Sequence, residues 1–585
     1  MYRNIKNILL ILNHNQKIKS LILVILILGG TLIELICLFS IYEIVKYSTS
    51  ILTSNSADGN NYVETLFSLI GFSYEIKTLS IILIFLYLFK FLYILSINRF
   101  QYKFTNSVKV YLNVLLLKKY LSKNYMFFLD NNPAKLLRNV DSEVSQFILG
   151  CLLQMIILFT ELLFLIALVV SLTFVNFKIV FFIMISFLII VILYALIIKK
   201  KLLIEGNKRV ELTGKLLKNL TEAFHGVKNI KIFNASNYFL KSVEKNSKEL
   251  AKTTLVLSVL SQVPKNGLEM FAVFMISIMI LNQDSMSSLN VESFSAISFF
   301  VLAAFKLLPS VSKIIMSFQT MRFSQASVEI IKKEVTTYRK QSLGKINDQK
   351  KLKKISLKKN ISLNNISFRY NKRSDYLFKG INLKISKGDV VGIYGESGTG
   401  KSTLIDILLG LLKPTKGNLK IDDIKITNNN RNSWLNSVGY VPQKIFLTDD
   451  TLLENIAFGQ DITEIDKTKA YKSIKQSELE SLVTSKGGLK RKLGQHGSNV
   501  SGGQLQRIGI ARSLYKSAEV YIFDESTSSL DKETEKKMLN LIKKISKNKS
   551  CIIISHNINN LKNCNKIFCL KNKKLNTIKL KNNKI

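Results

Sequence analysis

The first half of the chain contains apolar segments long enough to cross a lipid bilayer, a span that takes about 20 residues of helix. Six stretches qualify by their run of apolar residues: 20–45, 77–97, 145–174, 179–198, 259–281 and 293–309. Only helices and closed barrels pair all of their backbone polar groups inside lipid. Runs of this length therefore predict an all-α, six-helix transmembrane domain within residues 1–325.

The charges between these segments predict how the chain is oriented. Two long connections, about 98–145 and 199–258, are rich in Lys and Arg, whereas the loops at 46–76 and 282–292 are mildly acidic. Cytoplasmic loops carry the excess of Lys and Arg, so we expect the N-terminus and both long connections in the cytoplasm. No small-residue cleavage site follows the first apolar segment, which favours a retained anchor over a removed signal.

The overall composition supports a membrane protein and argues against a nucleic-acid partner. The chain is 47% hydrophobic yet carries a formal charge of +43, which suits a lipid-embedded half joined to basic cytoplasmic parts. A nucleic-acid-binding protein clusters its basic residues on one face or stripe. Here Lys is spread along the whole sequence without interleaved aromatic residues, so we expect a lipid bilayer and no nucleic acid as the partner.

The second half of the chain has a different pattern. Residues 326–360 are polar and Lys-rich, which predicts a linker. From 361 to 585 short apolar stretches alternate with helical patterns, as is typical of an α/β domain. We therefore expect a multidomain chain in which an all-α transmembrane domain, residues 1–325, precedes an α/β P-loop domain, residues 361–585.

The sequence VVGIYGESGTGKSTLIDILLG begins at Val390 and matches the phosphate-loop pattern GxxxxGK[ST] between a predicted strand and a predicted helix. Backbone N–H groups of such a loop surround phosphate oxygens, and the helix N-terminus adds partial positive charge. Lys401 is expected to reach the β- and γ-phosphates of ATP, and the Ser402 hydroxyl to bind Mg²⁺. The candidate phosphate-binding residues are Gly395, Glu396, Ser397, Gly398, Thr399, Gly400, Lys401, Ser402 and Thr403.

Two carboxylates follow a buried-strand pattern, VYIF, at residues 520–523. Strands of a parallel sheet deliver such side chains to the ligand crevice at their carboxyl ends. We expect Asp524 at the magnesium site and Glu525 beside the attacking water, since phosphoryl transfer depends on positioning and on charge neutralisation.

These motifs, together with two others, resemble the nucleotide-binding domain of ABC transporters in their order and spacing. The two others are SGGQ, formed by Ser501, Gly502, Gly503 and Gln504, and a histidine that follows an apolar strand, His556. The resemblance implies that SGGQ is the family's signature motif, which caps the γ-phosphate of ATP bound to the opposite subunit. It therefore implies a homodimer that encloses two ATP molecules.

The same resemblance implies roles for four further positions. Tyr370, in ISFRY, looks like the aromatic residue that stacks on adenine, and His556 looks like the switch histidine on the γ-phosphate. Gln443, in GYVPQ, resembles the residue that touches Mg²⁺ and responds to the membrane domain. Asp531 looks like the acidic residue of the D-loop. The implied catalytic residues are Lys401, Gln443, Glu525 and His556.

Six spans followed by one ATPase domain resemble the exporter half-transporters of this family. The segments NYMFFLDNNPAKLL, LEMFAVF and VLAAFKLLPSVSKII are similar to those of the bacterial lipid-linked oligosaccharide flippases. The resemblance implies that Lys90, Lys265 and Lys306 match arginines of the translocation cavity, where they would meet the pyrophosphate of the lipid donor. Lysine keeps the positive charge but lacks the planar bidentate fork of arginine.

Each of these lysines also has a structural explanation. A charged side chain within a span is costly and suggests function by default. It can instead extend to the membrane interface or pair with a nearby carboxylate. Glu34, Glu161 and Glu269 are the carboxylates in or near the expected spans that could form such pairs.

The motifs and the resemblance together predict an ATP-driven exporter or flippase in the bacterial cytoplasmic membrane. We expect it to move a lipid-linked oligosaccharide or another amphipathic anionic lipid outward. Two kinds of alternative stay open: an exporter of peptides, drugs or lipid A-type lipids would share the fold, and a regulatory ABC ATPase without transport activity would share the nucleotide motifs. The presence of both Glu525 and His556 favours hydrolysis over pure regulation.

Overall fold

The computed structural model divides the chain into two compact units. The first comprises Met1–Lys123 and Asp130–Lys345, and the second comprises Asn124–Leu129 and Ile346–Ile585. The structure describes residues 8–52, 76–173, 177–281, 291–343, 354–371, 374–484, 487–494, 497–525, 532–547 and 549–578, and along several stretches of the helices it describes the backbone alone.

The first unit is built from long helices. In chain order its helices are α1 (His14–Leu52), α2 (Ile76–Leu121), α4 (Pro133–Val140), α5 (Ser142–Phe147), α6 (Leu153–Thr173), α7 (Phe177–His225), α8 (Val227–Ile232), α9 (Ser236–Leu281), α10 (Val291–Phe323) and α11 (Gln325–Leu343), while α3 (Tyr125–Asp130) belongs mostly to the second unit. A π-helical turn, Ile148–Leu152, connects α5 to α6. Helix α1 packs on α2, α7 packs on α9, and α6 packs on α10.

Three helical stretches among the described residues are long and apolar enough to cross a membrane: His14–Ile41, Ile76–Leu121 and Pro133–Val170. They overlap the first three spans expected from the sequence. The other three expected spans fall within α7, α9 and α10, where many side chains lie outside the described part of the structure. The total of six spans therefore stays a prediction.

A buried polar network joins four helices of the first unit. Glu143 of α5 is fully buried and accepts hydrogen bonds from Arg209 of α7 at 2.9 Å and from Ser327 of α11 at 2.6 Å. Nε of Arg138, on α4, lies 3.7 Å from the other carboxylate oxygen of Glu143. A buried carboxylate is tolerated only when it is paired and hydrogen-bonded, so these partners hold α4, α5, α7 and α11 in one arrangement.

Helix α9 contains Pro264, which has no N–H to donate to the carbonyl of Leu260, one turn earlier. Two side chains from neighbouring helices donate to that carbonyl instead. The Tyr194 hydroxyl of α7 does so at 2.5 Å and Gln319 Nε2 of α10 at 3.0 Å. The freed carbonyl thus connects α7, α9 and α10 at a single point.

The first part of the segment expected to be a linker, 326–360, is helical in the structure. Residues Gln325–Leu343 form helix α11, and the boundary between the two units lies at Lys345. Val328, Ile331 and Val335 are completely buried. Their three- and four-residue spacing places them on one helix face, which packs inside the first unit. The lysines between them gave the segment its linker-like composition.

The second unit contains two sheets. Strands β1 (Asn360–Phe368), β2 (Phe378–Ser386), β4 (Lys416–Ile421) and β5 (Ile424–Lys425) form an antiparallel sheet in the order β2-β1-β4-β5. Strands β3 (Val390–Tyr394), β6 (Val438–Val441), β7 (Val520–Asp524), β8 (Ser550–Ser555), β9 (Lys566–Lys571) and β10 (Lys574–Ile578) form the other in the order β10-β9-β3-β8-β7-β6. From β9 to β6 this second sheet is parallel, so its carboxyl ends share one edge. The expected α/β class is confirmed.

The second unit has helices on both faces of the parallel sheet and a separate core formed by helices and their connecting loops. The helices are α12 (Lys401–Leu408), α13 (Arg431–Leu435), α14 (Leu452–Ile456), α15 (Lys467–Gln476), α16 (Glu480–Thr484), α17 (Gly502–Tyr515) and α18 (Lys532–Ser546). Leu404 and Leu408 of α12 are buried in one core with Trp434 and with residues of both sheets. Met126 of α3 packs against the same core, which explains why this short helix belongs to the second unit.

Candidate nucleotide-binding site

The phosphate loop lies between the carboxyl end of β3 and the first residue of α12. Gly398 and Gly400 adopt φ angles of +82° and +100°, a region that other residues rarely enter. A Cβ at Gly400 would also lie 2.9 Å from the ring of Phe378. The backbone therefore requires these glycines, and α12 begins directly after them at Lys401.

Acceptor atoms surround the ammonium group of Lys401, which is only 7% exposed. Its Nζ donates to the carbonyl oxygens of Gly395 at 2.8 Å and Glu396 at 3.0 Å, and it lies 3.2 Å from Glu525 Oε1. The positive charge is thus held beside the N-terminus of α12, where an anion is favoured.

Asp524 and Glu525 occupy the carboxyl end of β7, as the sequence predicted. Asp524 accepts a hydrogen bond from the Tyr440 hydroxyl at 3.2 Å, and burial raises the pKa of its carboxyl group. Glu525 has a φ angle of +43°, which is unusual for a residue with a side chain. Its N–H donates to the carbonyl of Ile554, so the neighbouring strand β8 holds this backbone conformation.

The carboxylate of Glu525 gathers the other expected catalytic side chains. Its Oε2 accepts a hydrogen bond from Gln443 Nε2 at 2.8 Å. Its Oε1 lies 3.2 Å from Lys401 Nζ and 4.0 Å from His556 Nδ1. A carboxylate held in this way can orient a water molecule, while the lysine neutralises phosphate charge.

Tyr370 places an aromatic ring next to the phosphate loop. The residue is 42% exposed, and its ring packs edge-to-face on Phe368, with the ring centroids 5.0 Å apart. Its hydroxyl shares a hydrogen bond of 2.7 Å with Thr403 Oγ1 on α12. An exposed aromatic residue beside the loop suits the stacking role that the family resemblance implies.

Ser501 caps the N-terminus of α17, a helix of 14 residues. Its Oγ accepts a hydrogen bond from Gln504 N at 3.3 Å, and Gln504 Oε1 accepts one from Ser501 N at 2.9 Å. This reciprocal capping box leaves Ser501 and Gly502 exposed. The SGGQ motif therefore presents a helix N-terminus that can bind phosphate. Asp531 lies outside the described residues, so its role stays a prediction.

The residues expected at magnesium all supply oxygen donors. The Ser402 hydroxyl, the Gln443 amide oxygen and the Asp524 carboxylate are ligands of the kind that Mg²⁺ prefers. Burial, with the nearby charge of Asp524, raises the pKa of Asp406 on α12 to about 6. No group of three or more His, Cys, Asp or Glu side chains among the described residues forms a protein-only metal site. The donor set thus fits an ion that completes its shell with phosphate and water.

Comparison with known protein families accounts for both units. Residues 20–305 match the ABC transporter transmembrane region, and residues 378–528 match the ABC transporter family of ATPase domains. The chain belongs to the ABC transporters. One membrane domain followed by one ATPase domain gives it the half-transporter arrangement of exporters, as the sequence motifs predicted.

Curated relatives of this half-transporter include two proteins named ATP-dependent lipid A-core flippase. The one from Neisseria meningitidis is 27% identical over 364 residues, which cover 61% of this chain and 56% of that protein. The one from Ralstonia nicotianae is 24% identical over 469 residues, which cover 80% of this chain and 78% of that protein. The chain thus aligns with little more than half the length of the Neisseria relative.

A solved structure, of a bacterial Atm1-family ABC exporter with ATP bound, is similar to this half-transporter with a TM-score of 0.75. The superposition covers 96% of this chain and 94% of that chain at 18% sequence identity. At this identity the likeness supports the fold alone.

The three lysines expected to contact cargo differ in their surroundings. Lys90 Nζ lies 2.9 Å from Glu34 Oε1, so this lysine is paired in the way that the structural explanation predicts. Lys265 of α9 is exposed. The side chain of Lys306, on α10, lies outside the described part of the structure. Glu161 pairs at 2.7 Å with Lys313, a residue that the sequence did not single out.

Three residues of the ATPase domain support the site although the sequence did not point to them. Tyr440 donates to Asp524, Gln506 Nε2 donates to the carbonyl of Gln443 at 3.1 Å, and Arg512 Nη1 donates to the carbonyl of Phe446 at 2.9 Å. Gln506 and Arg512 lie on α17. Polar residues that recur at a multiple of three positions along a buried helix are the sequence pattern that could have identified them.

Proposed function

We propose that this half-transporter is an ATP-driven exporter or flippase of the bacterial cytoplasmic membrane. One observation carries the proposal: Lys401, Gln443 and His556 converge on the carboxylate of Glu525. Nucleotide binding alone needs a phosphate loop, whereas hydrolysis also needs a group that positions water. The combination of such a group with a membrane domain favours transport driven by hydrolysis over pure regulation.

In the proposed reaction the γ-phosphate of ATP binds between Lys401 and the N-terminus of α12. Glu525 orients the attacking water and accepts its proton, and Gln443 and Lys401 hold this carboxylate in position. His556, whose side chain is 54% exposed, is free to turn toward the phosphate. A bound Mg²⁺, held by Ser402, Gln443 and Asp524, would neutralise charge on the phosphate oxygens.

We propose a homodimer in which Ser501 of one subunit faces the ATP of the other. The exposed N-terminus of α17 supports this arrangement, because it favours an anion. The apolar side chains around α8 give a second reason. Phe224, Ile232 and Phe233 are 76%, 61% and 77% exposed. Exposed apolar patches commonly mark protein or membrane contacts, and we propose that the second copy of the chain covers this one.

As cargo we propose an anionic lipid, with a lipid-linked oligosaccharide as the specific candidate. Lys265 and Lys306 are the first candidates for contact with its phosphate groups, since lysine attracts phosphate as a point charge. Lys90 would join them where its pair with Glu34 opens. The relatives named lipid A-core flippase support a lipid over a peptide or a drug.

The test is ATP-dependent flipping of a polyprenyl-pyrophosphate oligosaccharide by the purified protein in proteoliposomes. Glu525→Gln keeps the shape of the side chain and removes its basicity, so ATP hydrolysis should fall by about 10²–10⁴-fold and flipping should stop. Hydrolysis without flipping in the unmodified protein would reject this cargo, and a lipid A-type lipid would be tried next. Full hydrolysis by Glu525→Gln would contradict the proposed role of Glu525.

A further inference from the structure

The segment after β6, residues 443–446, is bound along one face of the signature helix α17. At one end Gln506 Nε2 donates to the carbonyl of Gln443 at 3.1 Å, and at the other Arg512 Nη1 donates to the carbonyl of Phe446 at 2.9 Å. Between them Gly509 makes room for Ile445, because a Cβ at Gly509 would lie 2.4 Å from Ile445 Cδ1. Positions 506, 509 and 512 recur every three residues and so share a face of the helix.

The Gln506 side chain that donates this hydrogen bond is buried. Gln506 is 3% exposed, and its Oε1 has no hydrogen-bond partner among the described residues. A buried amide with an unpaired oxygen costs stability that an apolar side chain of the same length would avoid. Packing alone therefore does not explain a glutamine here, whereas a need for its Nε2 donor does.

Gln443 is held at two points. Its side chain donates to Glu525 Oε2 at 2.8 Å, and its carbonyl accepts from Gln506. Gln506 lies about one and a half turns after the N-cap of the same helix, Ser501. Two hydrogen bonds in series thus connect the catalytic carboxylate to the helix that carries the SGGQ motif.

We propose that Gln506 is a positioning residue that couples the two ATP sites of the dimer. Through it, the catalytic site of one subunit sets the position of the SGGQ motif that closes on the ATP of the other. This inference rests on the proposed function, because it requires a homodimer that hydrolyses ATP at two sites. It gives Gln506 an effect on turnover and cooperativity and none on the affinity of a single site.

Gln506→Met tests the hydrogen bond at nearly constant side-chain length. The change removes the Nε2 donor together with the unpaired Oε1, so the melting temperature should not fall. We expect kcat for ATP to fall about tenfold, as for the loss of one hydrogen bond, with KM changed by less than about threefold. The Hill coefficient should fall toward one. Gln476→Ala, at an exposed glutamine near the end of α15, is the matched control and should change none of these.

Gly509→Ala tests the same contact from the opposite direction. Alanine strengthens a helix interior relative to glycine, but its Cβ would push Ile445 and the bound segment away from α17. We expect turnover and cooperativity to fall while the melting temperature is kept. Adding Ile445→Val removes Cδ1, the nearest atom, and should restore both. Such a rescue would show that the loss of turnover and cooperativity arises from the contact between position 509 and Ile445.

Amide hydrogen exchange at residues 501–505 gives a readout that needs no hydrolysis. With the Glu525 carboxylate intact, a non-hydrolysable ATP analogue should slow exchange at these amides, and Gln506→Met should remove most of that protection. A fluorescent ATP analogue measures affinity in parallel, which Gln506→Met should leave unchanged.

The outcomes separate this inference from the proposed function. An unmodified protein that does not hydrolyse ATP would reject the function and the coupling with it. Glu525-dependent hydrolysis whose kcat and Hill coefficient survive Gln506→Met would overturn the coupling alone. Lost affinity for the ATP analogue in Gln506→Met would also overturn it, because Gln506 would then serve the binding of one nucleotide.

Discussion

Glu525 adopts an unfavourable backbone conformation, and this conformation places its carboxylate in the site. A φ angle of +43° in a residue with a side chain costs on the order of 1–3 kcal/mol. The hydrogen bond from its N–H to Ile554 holds the conformation, and the carboxylate is thereby held against Lys401 and Gln443. Backbone strain of this kind is common at functional sites, where interactions of the surrounding structure compensate for its energetic cost.

Lys90 and Glu34 form an ion pair within membrane-spanning helices. The pair measures 2.9 Å, and Lys90 also lies over the ring of Tyr87, 5.1 Å from its centroid. Removing one partner of a buried pair leaves an uncompensated charge and costs about 3–5 kcal/mol, whereas removing both is often neutral.

We therefore expect Lys90→Met or Glu34→Gln alone to lower the thermal stability of the purified protein, and the two together to restore most of it. Thermal unfolding in detergent measures this. Flipping by the double variant then decides the role of Lys90. Slow flipping by a stable double variant would support a contact with cargo, and full flipping would remove Lys90 from the candidates and leave Lys265 and Lys306.

At the scale of elements, the packing of α7, α9 and α10 can be tested at the Leu260 carbonyl, which Pro264 leaves without its helical N–H donor. In a protein with Tyr194→Phe and Gln319→Met, the Leu260 carbonyl loses both of its donors, and the free energy of unfolding should fall by about 1–3 kcal/mol. Pro264→Ala supplies a new N–H at position 264 that can take this carbonyl. In that background we expect the same two substitutions to cost much less.

Thermal unfolding of the four proteins completes this comparison. An equal cost with and without Pro264→Ala would mean that the two side chains stabilise the helices through something other than the Leu260 carbonyl. The Pro264→Ala variant alone is the control, because alanine favours a helix interior over proline whatever happens at the Leu260 carbonyl.

The sequence predicted the elements whose conformation depends on near neighbours. The phosphate loop is one, because its glycines and its lysine lie within a few residues of each other, and the carboxylates after β7 are another. It missed contacts between distant residues: Tyr194 and Leu260 are 66 residues apart, and Gln443 and Gln506 are 63 apart. Helix α11 was missed for a related reason, since its buried face packs on other helices while its composition resembles a linker.

For the whole molecule, the exposed apolar side chains around α8 offer a test of the proposed homodimer. Phe233 is 77% exposed in one chain, so Phe233→Asp should leave the fold of that chain intact. If the second copy covers it, the dimer should weaken and ATP-dependent flipping should fall by more than about tenfold, as for the loss of a buried aromatic anchor. Lys231→Ser, at an exposed residue two positions before Phe233, is the control.

Analytical ultracentrifugation in detergent measures the dimer, and the proteoliposome assay measures flipping. A Phe233→Asp variant that dimerises and flips like the unmodified protein would exclude this surface from the interface.

The gene encodes a short piece of the ATPase unit, Asn124–Leu129, within its membrane half. Recombination between two related genes at the boundary near Lys345 would transfer the large piece of that unit and leave the small one behind. The transferred domain would then meet a foreign side chain where Met126 packs against its core. Ancestral exchange of ATPase domains should therefore be rare at this boundary, and position 126 should vary across the family in step with the residues that it touches.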